Sequence, residues 1–467
     1  MMDNYDYDLL VVGSGPGGQE AAITAAKLGK SVALIERKPY VGGVSLQTGT
    51  IPSKALREAA YVTSRSASLG MRRIIQTRAA SEPGFLSDVI GQIDSVVDRK
   101  ESQILERLMT VGVVLIPGEA GFEDPHTLRV TSPRGDQQLL SAAVIVLATG
   151  SRPRRPASVP FDKERVLDST SLLKCRRLPS SLIVVGGGVI ACEFATIFAS
   201  LGSEVTLVDS HAQPLAYLDT DIVSRLMEDF DDMNINLRMS TRISQIELSS
   251  DGVGVITEQG DTLQATALLY ALGREPNYDL LELDKAGLVA DDNGWVRINE
   301  YQQTSQSHIY IVGDLAGRPS LASTAMEQGR IAAHHAFNAE VQQRACLLPM
   351  AIYTIPELSY VGETERELQG RGADYVKGYA YYAETARGKI IGNEHGLLKL
   401  LVDRQSRFIL GVHIIGESAS ELVHVGQMLM TCSATVDVLA ATVFNYPTLA
   451  QCYKTAALEC LIQLKDK

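Results

Sequence analysis

Apolar residues fall into short runs of strand length, and these alternate with stretches of helical spacing. Tyr7–Val12 predicts a strand that enters Gly13-Ser-Gly15-Pro-Gly17-Gly18; Glu20 to Leu28 predicts a helix, and a second strand, Ser31–Ile35, runs into Glu36. The same order recurs downstream as strand Ser181–Val185, turn Gly186-Gly-Gly188-Val-Ile-Ala191, helix Ala191–Leu201 and strand Glu204–Val208, ending at Asp209. The first glycine and the terminal acid are 23 residues apart in both copies. Strand, glycine turn, helix, strand and acid, in that order, make a dinucleotide-binding unit. Gly13 and Gly186 permit the tight turn, Gly15 and Gly188 let the backbone close on a pyrophosphate, and Gly18 lets helix and strand pack. Ala191 is a small substitute in that third place. The phosphates sit at a helix N-terminus, where free amides and the dipole favour an anion. Glu36 and Asp209 accept hydrogen bonds from a ribose diol. Two units imply two dinucleotides, with an electron pair passing between them.

Three more apolar segments fit an α/β protein. Val144 to Leu147 leads into Ala148-Thr149-Gly150; Ala267–Leu272 precedes Gly273-Arg274-Glu-Pro-Asn277; His308 to Val312 ends at Gly313-Asp314, whose carboxylate suits a ribityl hydroxyl. From about residue 346 the texture changes: Val376–Tyr382, Gly396–Val402 and Phe408–Ile415 predict an antiparallel sheet, with helices at Ala419–Thr431 and Thr448–Leu464. The last helix carries a stripe, Leu449, Cys452, Ala456 and Cys460, that needs cover from its own chain or from a second copy. The polar stretch from Ser64 to Ser87 suggests a surface insertion or an irregular region and has no assigned role.

Composition narrows this reading. The 467 residues suffice for two or three domains, and 45% hydrophobic with 21% charged residues is ordinary for a globular protein. A net charge of -12 argues against a nucleic-acid partner, with Arg152, Arg154 and Arg155 read as solvated loop charges. The acidic start lacks the basic and apolar regions of a signal peptide, and no apolar run is long enough to span a bilayer. A cytoplasmic protein without membrane insertion is expected. Six cysteines without a C-x-x-C pair give no metal-binding spacing, so no metal is expected, and Cys192 and Cys452 read as buried thiols. Asp209 favours the free 2′-hydroxyl of NAD(H) and repels a 2′-phosphate. No arginine follows in Ser210 to Gln213, and His211 meets a phosphate as a cation only when protonated.

Taken together, Gly13–Gly18, Gly49-Thr-Ile-Pro-Ser-Lys54, Ala148-Thr-Gly150, Gly186-Gly-Gly-Val-Ile-Ala-Cys-Glu193, Gly273–Asn277 and Val312-Gly-Asp314 are similar to the motifs of the class I flavoprotein disulfide reductases, over essentially the whole chain. That family carries two redox cysteines five residues apart; the matching positions here are Ser45 and Thr50. It also carries His-Pro-Thr followed by a glutamate; here Tyr446 and Gln451 stand in those places. A phenol is a poor base at neutral pH. Thiols and base are absent together. Asn-Tyr-Pro-Thr, Thr50 within Gly-Thr-Ile-Pro-Ser-Lys, and Leu215-Ala-Tyr-Leu-Asp219 resemble the soluble pyridine nucleotide transhydrogenase branch, which passes hydride between NADPH and NAD through FAD. That branch normally has a cysteine at the position of Ser45 and a glutamate at that of Gln451.

The resemblance implies FAD on the first unit, NAD(H) on the second, and NADP(H) as well if the chain is a transhydrogenase. It implies catalytic roles for Lys54, beside the flavin, and for Glu193, its partner. FAD or nicotinamide contacts are implied for Gly13, Gly15, Gly18, Glu36, Arg37, Gly43, Thr50, Lys54, Thr149, Gly150, Gly186, Gly188, Glu193, Asp209, Gly273, Arg274, Gly313, Asp314 and Ala322. The expected fold has two Rossmann-like domains and a C-terminal α+β dimerisation domain. Its divisions are FAD domain 1–150, NAD(P) domain 151–272, FAD domain again 273–345, and dimerisation domain 346–467, in a homodimer or larger homo-oligomer. Two other functions fit the same residues: an NADH-dependent flavoprotein that reduces a quinone, dye or protein acceptor, and a non-catalytic dihydrolipoamide-dehydrogenase-like subunit.

Overall fold

A computed structural model describes residues 5–66, 85–291, 294–317, 319–340 and 347–465. Most of the polar stretch between Ser64 and Ser87, and Cys346, lie outside the described residues. The first part contains β1 (Tyr7–Val12), α1 (Pro16–Lys27), β2 (Val32–Glu36), α2 (Gly43–Gln47), α3 (Thr50–Ser66), α4 (Phe85–Thr110), β3 (Val114–Pro117), β4 (Glu119–Asp124), β5 (Thr127–Thr131) and β6 (Gln137–Leu147). Strands β3, β2, β1 and β6 pair in parallel in that order, while β5 and β4 extend the sheet antiparallel from β6. Leu9, Leu10 and Val11 of β1 are fully buried because both faces of this central strand are covered. Helix α1 begins at Pro16, earlier than the apolar period alone places it. Proline at the first helical position has its φ preset and loses no hydrogen bond there.

The middle part adds β7 (Ser151–Pro153), β8 (Val166–Leu167), α5 (Ser169–Leu172), β9 (Ser181–Val185), α6 (Val189–Leu201), β10 (Glu204–Val208), α7 (Thr220–Asp232), β11 (Asn236–Arg238), the meander β12 (Ile243–Leu248), β13 (Val253–Thr257) and β14 (Thr262–Ala265), and β15 (Ala267–Tyr270). Its parallel sheet runs β11-β10-β9-β15-β8. Strand β16 (Arg274–Pro276) then pairs antiparallel with β7, and β17 (Ile309–Ile311) returns to the first sheet beside β6. Helix α8 (Ala322–Ala336) packs on α1 so closely that a Cβ on Gly329 would stand 2.2 Å from the Gly17 carbonyl oxygen. The chain therefore leaves the first sheet, builds the second, and comes back.

The last part is a five-stranded antiparallel sheet ordered β18 (Met350–Ile352), β19 (Leu358–Gly362), β22 (Ile409–Ile415), β21 (Leu397–Asp403), β20 (Tyr375–Tyr381). Its helices are α9 (Glu365–Gly370), α10 (Ala386–Ile391), α11 (Ala419–Thr431), α12 (Val436–Ala441) and α13 (Gln451–Lys465). Helix α13 starts three residues after the expected Thr448. Its stripe is covered by its own chain: Cys452, Ala456 and Cys460 are fully buried, and a Cβ on Gly378 of β20 would lie 2.0 Å from the Ala456 carbonyl oxygen. The face left open is a different one, carrying Leu458 and Ile462, with Val443 and Tyr446 exposed just before the helix. Among the described residues no helix is long and apolar enough to cross a membrane.

Candidate active-site cleft

The two glycine turns differ in what surrounds them. Gly13 has φ 104°, and a Cβ there would stand 2.4 Å from the Ala148 carbonyl oxygen. A Cβ on Gly18 would stand 2.0 Å from the Gly13 carbonyl oxygen, so helix and turn touch through glycine alone. A Cβ on Gly15, in contrast, would meet nothing within 4 Å. That open side faces a cleft of about 830 Å³, within the range of small-molecule and cofactor sites. The cleft is lined by Gly13, Gly15, Glu36, Arg37, Gly43, Thr50, Lys54, Thr149, Gly150, Glu193, Arg274, Gly313, Asp314 and Ala322. The fold thus gathers candidates from five distant stretches of sequence. Gly18 lies behind the turn, Gly273 lies outside the lining, and Gly186, Gly188 and Asp209 sit at the second turn.

Ser14 ties the first turn to its surroundings. The Glu36 carboxylate accepts from the Ser14 amide at 3.0 Å, the Ser14 hydroxyl at 2.6 Å and the Lys38 amide at 2.9 Å. The Gly42 amide in turn donates to the Ser14 Oγ at 3.1 Å, joining the turn to the segment that precedes α2. Glu36 therefore organises its own loop as well as facing the cleft. On the opposite wall the Ser151 hydroxyl donates to Asp314 at 2.6 Å and accepts from Arg274 Nε at 2.8 Å, while the Asn277 side chain donates to the Thr149 carbonyl at 2.9 Å. Burial holds the Arg274 guanidinium below its ordinary pKa, opposed by the charge of Asp314. Arg152, read as a solvated charge, pairs with Glu275 at 2.7 Å and also with Asp279.

Lys54 on α3 reaches Glu193 on α6, with Nζ 2.9 and 2.8 Å from the two carboxylate oxygens. Glu193 is 4% exposed and also accepts from the Tyr353 amide at 2.9 Å. The Lys54 ammonium lies 4.9 Å from the centre of the Tyr353 ring. Burial holds that phenol above its ordinary pKa, so it stays neutral beside the cation. Sequence reading missed Tyr353, Ser14 and Ser151. Tyr353 comes from a segment 160 residues beyond Glu193 in the chain, and no local motif announces it. Ser45 and Thr50 line the same cleft and bring hydroxyls, not thiols, to it. Cys192 is fully buried beside Glu193, and burial pushes its thiol well up. Tyr446 is exposed and takes no part in lining the cleft of its own chain.

At the second turn Gly186 has φ 121°, and the backbone beyond Gly188 is open in the same way as at Gly15. Asp209 is 7% exposed and lies over Gly187; its Oδ1 accepts from the His211 amide at 2.7 Å and meets His211 Nδ1 at 2.5 Å. The Asp209 amide donates to the Arg238 carbonyl at 3.1 Å. Strand pairing thus puts the backbone of Arg238 beside that of the acid.

The pyridine nucleotide-disulphide oxidoreductase family matches residues 7–329, and its dimerisation domain matches residues 348–457. The chain belongs to this family. Among curated relatives it is 42% identical over 462 residues to the soluble pyridine nucleotide transhydrogenase of Mycobacterium tuberculosis, covering 98% of each chain. It is 39% identical over 464 residues to that of Pectobacterium atrosepticum, again covering 98% of each. Among solved structures it resembles LpdA from Mycobacterium tuberculosis, with a TM-score of 0.87 at 28% identity, covering 96% of this chain and 99% of that one. The flavoprotein disulfide reductase RclA from Escherichia coli gives a TM-score of 0.86 at 25% identity, covering 97% and 99%. The chain is an FAD-dependent pyridine-nucleotide oxidoreductase of this family that lacks the catalytic disulfide, and its C-terminal domain is the family's homodimerisation domain. The residues present fit the cofactor: the open sides of Gly15 and Gly188 leave room for two pyrophosphates, and the cleft leads from the first turn to Lys54.

Proposed function

We propose that this protein is a transhydrogenase, exchanging hydride between NADPH and NAD. The observation that carries this reading is the complete Lys54–Glu193–Tyr353 unit, anchored on the buried Glu193, beside positions 45 and 50 that hold only hydroxyls. When bound, FAD would supply the two-electron chemistry that links one nicotinamide nucleotide to another. The protein's own residues supply position and charge. Lys54 offers an ammonium to negative charge developing at the head of the cleft. Glu193 holds that ammonium against the wall, and its bond from the Tyr353 amide fixes the carboxylate in turn. The Gly13 turn, Glu36, Arg37, Gly43, Thr50, Thr149, Gly150, Arg274, Gly313, Asp314 and the start of α8 at Ala322, which line the cleft together, would hold FAD. Gly186, Gly188 and Asp209 bind the exchanging nucleotide, with Gly273 at the return crossing. Arg238, whose backbone neighbours Asp209, is the arginine available to a 2′-phosphate.

On this reading the domain boundaries fall near 150 and 272, where the paired strands β7 and β16 carry the chain out and back, and near 345. The Tyr446–Gln451 segment, exposed at Tyr446 and Pro447, closes the partner's cleft in a homodimer. A cytoplasmic location fits substrates kept in that compartment. The decisive experiment mixes purified protein with NADPH and thio-NAD. Thio-NADH should form; its absence, with FAD bound and reducible by NADH, sinks the assignment. Asp209 favours a second reading, an NADH oxidoreductase with another acceptor. In that case stopped-flow bleaching by NADH should exceed that by NADPH by about tenfold or more.

A further inference from the structure

Helix α7 is acidic at both ends, and both ends face the C-terminal domain. At its start Asp219, Asp221 and the Glu365 of α9 converge on the Lys399 ammonium at 2.8, 2.7 and 2.5 Å. Burial pulls this ammonium's pKa down, but its hydrogen bonds to the three carboxylates outweigh it and hold the pKa above its ordinary value. A cation belonging to the chain fills that cluster. At the other end Asp229 and Asp232, one helical turn apart, meet His395 from the segment before β21, with potential ligand atoms all within 4.8 Å of one another. Among the described residues neither aspartate pairs with a lysine or arginine.

The distances at this second cluster suit ligands around an ion better than an ion pair. His395 Nδ1 stands 3.2 Å from Asp229 Oδ1 and 3.4 Å from Asp232 Oδ2. Charge-assisted N–H···O bonds close to about 2.7–2.9 Å. Two ligands each about 2.1 Å from one metal ion lie about 3.0 Å apart at an octahedral angle and about 3.4 Å apart at a tetrahedral one. Asp229 is 7% exposed, and its Oδ2 has no hydrogen-bond partner. A buried carboxylate oxygen without a donor is costly unless a cation meets it. The last turn of α7 carries no basic residue to offset the two aspartates. Asp232 and His395 are more than one-third exposed and leave a path from solvent.

We propose that Asp229, Asp232 and His395 bind a first-row divalent cation and thereby staple α7 of the second nucleotide unit to the C-terminal domain. One imidazole and two carboxylates suit Zn(II) or a neighbouring metal, and the imidazole disfavours Ca(II). Three protein ligands leave a coordination position for water.

The test uses the FAD-loaded protein, treated with chelator and desalted, then titrated calorimetrically with ZnCl₂ and separately with CaCl₂. Zinc should bind at one ion per chain, at least about 100-fold more tightly than calcium, and should raise the unfolding temperature. His395→Ala and Asp229→Asn should each weaken zinc binding by at least about tenfold and abolish the thermal shift. An unchanged flavin spectrum reports that each variant folds, and His395, being half exposed, remains testable if the Asp229 variant does not. Equal zinc isotherms for the parent and His395→Ala would place any bound zinc elsewhere and overturn the proposal. So would calcium binding as tight as zinc, or no saturable zinc binding.

Discussion

The Gly13 and Gly186 turns share one plan and differ in how each holds its acid. At the first, Glu36 is bonded into its own loop through Ser14 and Lys38, and the turn is sealed by Gly18, by α8 and by the return of β17. At the second, Asp209 is capped by His211, a side chain 72% exposed to solvent, and Ala191 stands where Gly18 stands in the first. One turn is braced from all sides; the other is held by a group that solvent reaches. On the proposed function this is the difference between a resident dinucleotide and one that enters and leaves each cycle.

Reciprocal exchange of the third small residue gives the largest expected contrast. Gly18→Ala forces a Cβ to 2.0 Å from the Gly13 carbonyl oxygen, so the purified variant should carry little flavin by visible absorbance. Ala191→Gly should leave nucleotide binding intact and cost about 1 kcal/mol in thermal unfolding, the price of glycine within a helix. Retention of FAD by Gly18→Ala would show that the first turn is looser than its geometry indicates.

Lys54→Ala comes next. FAD should stay bound, because Lys54 takes no part in bracing the Gly13 turn, while stopped-flow reduction by the nicotinamide nucleotide slows by roughly ten- to a hundredfold. An unchanged rate makes Lys54 a structural residue. At the second turn, Asp209→Asn should raise KM for NADH and lower it for NADPH, each by about fivefold, as like-charge repulsion of a 2′-phosphate is relieved. Arg238→Ala should raise KM for NADPH alone; parallel changes with both nucleotides would remove Arg238 from the site.

The smallest effect is expected at the thiols. Burial raises Cys452 and Cys460 to about 12. Because only the thiolate reacts and each thiol stays protonated below its pKa, roughly one in ten thousand is ionised at pH 8. Iodoacetamide at that pH should leave turnover unchanged. Inactivation would point to a thiol role that Ser45 and Thr50 do not supply.

What could be read from the sequence follows from distance along the chain. Both glycine turns, their strands and their terminal acids lie within single short segments, and the strand and helix periods there are strong. Lys54 and Glu193 were readable because each sits in a motif, although their contact spans 139 residues. Tyr353, Ser151 and His395 gave no signal, since each acts through a partner supplied by another part of the fold. The stripe on α13 showed the opposite limit. Its period was visible, yet nothing in it told which surface would cover it, and the chain's own β20 does.

Lys399 has a consequence for recombination among relatives. Its ammonium comes from the C-terminal domain, but two of its three carboxylates, Asp219 and Asp221, come from the nucleotide unit. The two parts are therefore not interchangeable cassettes. A chimaera that takes its C-terminal domain from a homologue without this lysine leaves the buried Asp219 without its counterion, at a cost of about 3–5 kcal/mol. Shuffling designs succeed across this junction only when the lysine travels with the aspartates it neutralises.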